Sequence, residues 1–263
     1  MIETNARLGA TNWLGLQTLC GREIHRFWKV YVQTVVAPIL TTLIFLAIFS
    51  IALGRLRGEI GGVPFVEFLA PGLIMMAIIQ NAFANPSSSI VGGKMQGNII
   101  DMLMPPLTND ELMVGYVVGG MTRALAVCLG SALCVAPFVR LVPEHLAVVI
   151  FYGLASALMM SLIGILGGIW ADKTEHLAVI TSFVIMPLSF LSGTFYSIDR
   201  LPEGFQVFAN FNPIFYAIDG FRSGFIGHAD SPLWRGALVL IALDVLLWLA
   251  CRRLLASGYK LKA

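Results

Sequence analysis

The chain has 263 residues, 57% of them hydrophobic and only 12% charged, with a formal net charge of +2 and a mean hydropathy of +0.83. Soluble domains carry roughly a quarter charged residues, so the polar surface needed to cover a water-soluble globule of this size is missing. The near-neutral balance, with basic residues in short clusters between apolar runs, also argues against nucleic-acid binding.

The first predicted element covers 10–29. Trp13, Leu16, Cys20, Ile24 and Phe27 recur at spacings of three and four, with Arg22, Glu23 and Arg26 off that stripe. An amphipathic helix lying on the membrane surface has this pattern, and so does an ordinary positively flanked lead-in to a span. The segment 30–54 follows, uncharged and longer than a signal-peptide core, and reads as an uncleaved anchor. A second span is predicted over 63–86, with Glu67 near its membrane entry.

Between 91 and 107 the chain changes character. Gly92, Gly93, Lys94, Gly97 and Asp101 surround an apolar knot of Ile99, Ile100, Met102, Leu103 and Met104, which Pro105 and Pro106 end. A short helix with an exposed apolar face fits this composition. Such a face either meets a partner or folds back on its own bundle.

Further spans are predicted over 111–139, interrupted by Arg123, over 146–171, over 177–198, and over 232–255, interrupted by Arg235 and Asp244. The stretch 199–227 is too aromatic for a solvated loop, yet Pro202 and Pro213 break it into pieces too short to cross. Two re-entrant or interfacial helices are predicted there, with Ile214, Ile218, Phe221 and Phe225 on one face and Asp219 paired with Arg222 on another. They would line the outer end of a pathway or form a packed interfacial hairpin. Six spans put both termini on one side. Ten Lys and Arg fall on that side and six on the other, which places the termini in the cytoplasm.

Catalytic chemistry is not legible. Gly92-Gly93-Lys94-Met95 lacks the spacing and the hydroxyl of a phosphate loop, no H-E-x-x-H occurs, and Ser87-Ser88-Ser89 has no neighbouring histidine. The four cysteines show no C-x-x-C and read as buried apolar side chains, with no metal site expected. Arg123 and Asp244, both inside spans, are candidate partners for each other, since charge in hydrocarbon tends to be paired or functional. Gly115 with Gly119, and Gly164 with Gly168, have the spacing that lets helices approach closely, within one subunit or across a dimer.

Three stretches carry a family resemblance. They are Phe68-Leu69-Ala70-Pro71-Gly72-Leu73-Ile74-Met75-Met76, then the run from Gly97 through Asp101 to Leu107, and finally Pro187 to Tyr196 followed by Leu201-Pro202 and Asn212-Pro213-Ile214-Phe215-Tyr216-Ala217-Ile218-Asp219-Gly220-Phe221-Arg222. In this order they resemble the type-2 ABC transporter permeases, from about Glu23 to Arg253. The coupling motif departs from the pattern at Ile100, where an acid is expected. The resemblance implies an all-α membrane protein with six transmembrane helices, an N-terminal amphipathic helix, a cytoplasmic coupling helix and short outer re-entrant helices. It further implies a homodimer in the inner membrane bound to two copies of a cytoplasmic ATPase. ATP and magnesium would sit on that partner and no cofactor on this chain. Glu23, Arg26, Gly97, Ile99, Asp101, Met102 and Leu103 would contact the ATPase, and Asn212, Pro213, Asp219, Gly220 and Arg222 would shape the outer gate. An ion-driven secondary transporter or channel, or a scaffold that moves nothing, are the alternatives.

Overall fold

The computed structural model describes residues 12–57, 59–60, 62–98, 106–198 and 202–260. Helix α1 is Trp13–Trp28; a π-helical turn, Val32–Val36, leads into α2, Ala37–Arg57. The two-residue strands β1, Glu59–Ile60, and β2, Val63–Pro64, pair as a small antiparallel ribbon. Three long helices follow: α3, Phe65–Met95; α4, Asn109–Val135; and α5, Leu146–Trp170. Helix α6, Thr174–Ile180, passes through a second π-turn, Thr181–Ile185, into α7, Met186–Phe190. Two short helices, α8, Glu203–Phe211, and α9, Pro213–Ile226, precede α10, Leu233–Ser257.

The chain is an all-α membrane protein. Among the described residues, four helices are long and apolar enough to cross a bilayer: Val32–Ala52, Phe65–Met95, Asn109–Val135 and Leu146–Trp170. Thr174–Phe190 is a shorter apolar helix, and α10 has 25 residues. Exposed aliphatic stripes run down α2 (Leu40, Ile44, Ile48, Ile51), α4 (Leu125, Leu129, Leu133) and α10 (Leu238, Ile241, Val245, Leu249). In water such surface would drive aggregation; against lipid or a partner helix it is at home.

Helix α3 is the hub. Its most apolar stretch is 78% buried, against 17% for Val32–Ala52, so the other helices are arranged around α3 while α2 sits at the edge. Helix α5 reaches α3 closely through two glycines. A Cβ on Gly164 would lie 2.5 Å from the Phe83 carbonyl oxygen, and one on Gly168 would lie 2.9 Å from Ile90 Cβ. This small-residue spacing therefore serves packing within the subunit.

Two helix limits depart furthest from the sequence expectation. Helix α3 continues to Met95 instead of ending near 86, so 91–95, expected in the loop, are helical. Pro86 lacks an N–H for the Ala82 carbonyl, but Ser161 Oγ donates to that oxygen at 3.4 Å, and the helix carries on. Conversely, α7 ends at Phe190, short of 198. There Thr194 Oγ1 bonds back to the Ser189 carbonyl at 2.7 Å and Gly193 adopts φ 77°, which turns the chain out of the helix.

Each π-turn ends two residues before a proline, Pro38 after Val32–Val36 and Pro187 after Thr181–Ile185. A proline ring crowds the carbonyl four residues back and cannot donate to it. The wider turn relieves that clash; it is closed by Ala37 N to Val32 O in one case and Met186 N to Thr181 O in the other.

Candidate coupling and translocation sites

At the end of the bundle where α1 lies, Glu23 is completely buried. Arg22 and Arg26 hold its carboxylate at 3.0 and 3.3 Å, and Ser89 Oγ donates to Oε1 at 2.7 Å. Arg26 in turn donates to the Asn85 carbonyl (2.6 Å), to Asn85 Oδ1 (3.1 Å) and to Ser88 Oγ (3.2 Å). On α4, a Cβ at Gly119 would come within 2.6 Å of Glu23 Cβ, and one at Gly115 would overlap Leu19. The stripe Gly115–Gly119 is thus the seat of α1.

This turns α1 relative to the sequence expectation. Its inward face is Leu19, Glu23 and Phe27, whereas Trp13 is 67% exposed. Glu23 was expected to contact a partner; with no exposed surface it instead fastens α1 to α3. The physical reason is that glycines at 115 and 119 let the helix backbones close to a distance where a fully hydrogen-bonded carboxylate fits. A second tie joins α1 to α4. Thr108 and Glu111 form a capping box, and Glu111 Oε1 also accepts from Asn12 N at 2.6 Å. The sequence Thr108-Asn109-Asp110-Glu111 carries that signal, a hydroxyl followed three residues later by a glutamate.

Gly97 follows α3 in the left-handed conformation, φ 70°. Gly97 N bonds to Lys94 O at 3.1 Å and Asn98 N to Gly93 O at 3.0 Å, the paired bonds of a Schellman stop. Ile99, Asp101, Met102 and Leu103, the rest of the expected coupling segment, lie outside the described residues.

At the opposite end of α3, α9 is buried on nearly every side from Ile214 to Gly224. Asn212 caps it, accepting from Ile214 N at 3.1 Å, and donates to the Leu188 carbonyl at 3.0 Å and to Ser192 Oγ at 2.6 Å. Pro213 takes the first helical position, where a missing N–H is harmless. Gly220 lies flat against the Tyr152 ring, which a Cβ would overlap.

Arg222 is at the centre of this end. Its Nη2 lies 3.6 Å from Asp219 Oδ1 and 3.8 Å from Asp230 Oδ2, with all three side chains at most 2% exposed. Nη1 donates to the Gly193 carbonyl at 2.8 Å, and the guanidinium stands 3.9 Å above the Phe68 ring. Asp219 accepts from Asp230 N, Ser231 N and Ser231 Oγ, each at 2.9 Å. Asp230 accepts from Ser197 Oγ at 2.9 Å and Ile198 N at 3.0 Å. The expected Asp219–Arg222 pair is formed; Asp230 was missed, because nothing local marks an acid 11 residues further on as a partner.

The Arg123–Asp244 pairing is not formed. Arg123 Nε donates to Asn81 Oδ1 at 3.1 Å and to the Thr34 carbonyl at 3.3 Å. Asp244 is buried on α10 with one oxygen unpartnered. Helix α10 packs mainly on α5 and α9, while the Arg123 side of α4 meets α3 and the first π-turn. Thr34 is also the residue whose carbonyl Pro38 leaves without a donor, so the arginine and the broken helix satisfy each other.

A family model described as ABC-2 type transporter matches residues 15–226, which spans α1 to α9. The chain belongs to the ABC-2 type transporter family. The inner membrane transport permease YadH of Escherichia coli (strain K12) is 37% identical over 254 residues, covering 95% of this chain and 98% of that protein. Nodulation protein J of Rhizobium leguminosarum bv. viciae is 28% identical over 229 residues, 83% of this chain and 84% of its own length. Nodulation protein J of Rhizobium meliloti (strain 1021) is 25% identical over 229 residues. The ABC-2 region begins within α1, so the helix clamped by Glu23 is part of the family unit and not an appendage.

Proposed function

We propose that this ABC-2 chain is the membrane subunit of an ATP-driven exporter of the inner membrane, with six crossings and both termini in the cytoplasm. Two copies enclose one path, and each binds one copy of a separate cytoplasmic ATPase. The segment from Gly97 to Leu103 and the outer face of α1 receive the ATPase. Movement of the ATPase pair then acts on helices already locked to the bundle, and α8 with α9 closes the far end.

The observation that carries this reading is the clamp on α1. An interfacial helix loosely held by lipid would absorb a push. One fixed by a buried carboxylate to α3, and by a capping box to α4, transmits it to the hub. No phosphate loop occurs in the chain, so the energy source in this reading is external.

The test is reconstitution with the cognate ATPase. ATPase activity should copurify with the permease, rise with substrate, and be lost when a proline is inserted within 99–103. Robust ATP hydrolysis by the permease alone, or transport in ATP-free vesicles, would overturn the proposal.

A further inference from the structure

A cleft of about 330 Å³ opens among α2, α3, α4 and the α6–α7 junction. Its polar lining comes from Gln33, Thr41, Gln80, Asn81, Arg123 and Thr181, and Phe45, Leu73 and Met76 complete it with apolar wall. Ala37, Thr41 and Met186 at its rim are exposed, so it opens sideways on the surface of the single chain. Both π-turns border it, one through Gln33 and the other through Thr181, and such widened turns recur where side chains are re-aimed for function.

Among the described residues, the arginines that reach into the bundle differ in their counter-charges. Arg26 has Glu23, and Arg222 has Asp219 and Asp230. Arg123 has none among the described residues. Only its Nε is engaged, shared between Asn81 and Thr34; the two terminal nitrogens have no protein acceptor there. Asn81 is itself oriented by donating Nδ2 to the Ala77 carbonyl at 2.9 Å, which presents Oδ1 to the arginine and holds the guanidinium in place. A cation at membrane depth without a counter-ion is costly and marks a functional position, and a guanidinium fork matches phosphate or carboxylate oxygens.

We propose that this cleft is an anion subsite in which Arg123 receives the negatively charged headgroup of an amphiphilic substrate. The apolar wall, formed by Phe45, Leu73 and Met76, takes the first carbons of the tail. The volume is at the low end of the ~300–1,000 Å³ typical of small-molecule sites, enough for a headgroup and its neighbouring carbons. This deepens the exporter reading and rests on it: in that reading the cleft of each copy faces the shared path.

The experiment uses the purified chain in nanodiscs of neutral phosphatidylcholine. Binding of dansyl-labelled phosphatidic acid is followed by energy transfer from tryptophan, with dansyl-labelled diacylglycerol as the uncharged match. The wild type should prefer the anionic probe at least tenfold. Arg123→Gln should abolish that preference while leaving the neutral probe unaffected. Asn81→Asp, which supplies an internal counter-charge while giving up the Nδ2 bond to Ala77, should do the same in protein that still unfolds cooperatively, and it decides the matter if Arg123→Gln does not fold. A preference that survives both variants, or is absent from the wild type, overturns the subsite. Displacement of the probe by millimolar inorganic phosphate alone overturns the amphiphile assignment. ATPase copurification is scored separately, so a lost ATPase partner with an intact Arg123-dependent preference would sink the exporter reading and spare the site, and the reverse result would do the opposite.

Discussion

Glu23 and Gly119 touch across the α1–α4 interface so closely that a methyl group on the glycine would lie 2.6 Å from the glutamate Cβ. The carboxylate beyond that contact is fully buried and held by two arginines and a serine. The helix expected to meet the ATPase is therefore bolted to the bundle by the very residue that seemed best placed to reach outward.

Gly119→Ala should destabilise the protein by about 1–3 kcal/mol through overpacking at a rigid contact. Glu23→Gln should cost about 1–3 kcal/mol, below the figure for a fully buried pair because both arginines are partly exposed. Thermal unfolding in detergent measures both. In the reconstituted complex, Glu23→Gln should leave ATPase binding intact while reducing the substrate-dependent stimulation several-fold; unchanged stimulation would refute the clamp as a lever.

At the far end, Asp219 and Asp230 both face Arg222, but Asp219 also accepts three hydrogen bonds from Asp230 and Ser231. Asp219→Ala should therefore be the more damaging of the two alanine variants, at a total cost of about 3–5 kcal/mol for loss of one partner of a buried pair. Exchanging the charges as Asp219→Arg with Arg222→Asp should fail to restore stability, since an arginine cannot accept from those backbone N–H groups. Recovery of the wild-type melting temperature by the exchange would contradict this.

The prolines behind the two π-turns give a third expectation. Pro38→Ala lets the helix close on the Thr34 carbonyl with an ordinary backbone bond, so stability should hold or rise by up to about 1 kcal/mol. The cleft side chain Gln33 and the Thr34 carbonyl would then shift relative to Arg123. Substrate-stimulated ATPase activity should fall at least several-fold, and a fully active Pro38→Ala protein would show the widened turn to be dispensable.

Two lysines meet the C-terminal end of α5 and should differ in effect. Lys94 Nζ donates to the carbonyls of Ile169 and Ala171 at 2.5 and 3.1 Å, so Lys94→Ala should cost about 1–2 kcal/mol through lost hydrogen bonds to a charged donor. Lys260 bonds to the Trp170 carbonyl and to Asp172 Oδ2 at 3.0 Å on the surface. The hydrogen bond from Lys260 holds the Asp172 carboxyl below its usual range. A depressed carboxylate contributes above its unfolded value and loses that contribution as pH falls through the folded one. The tail should thus stay tethered at neutral pH and loosen only in acid. Protease cleavage after α10, followed across pH in the wild type and in Lys260→Ala, reads this out, and acid-insensitive cleavage would refute it.

How much of this the amino-acid order determined depends on the range of the interaction. The membrane class, the helical segments and the Asp219–Arg222 pair were legible, because length, hydropathy and a spacing of three residues are properties of one segment. The rotation of α1 was not. A polar residue turned inward to a buried network and one turned outward to solvent interrupt an apolar stripe in the same way, so periodicity cannot tell them apart. Arg123 taking Asn81 and Thr34 in place of Asp244, and Asp230 joining Arg222, were decided by which helix faces meet. Glycines at 115, 119, 164 and 168 and the prolines at 38 and 187 set those faces, through close approach and a widened turn. These are steric facts whose direction exists only once the helices are packed.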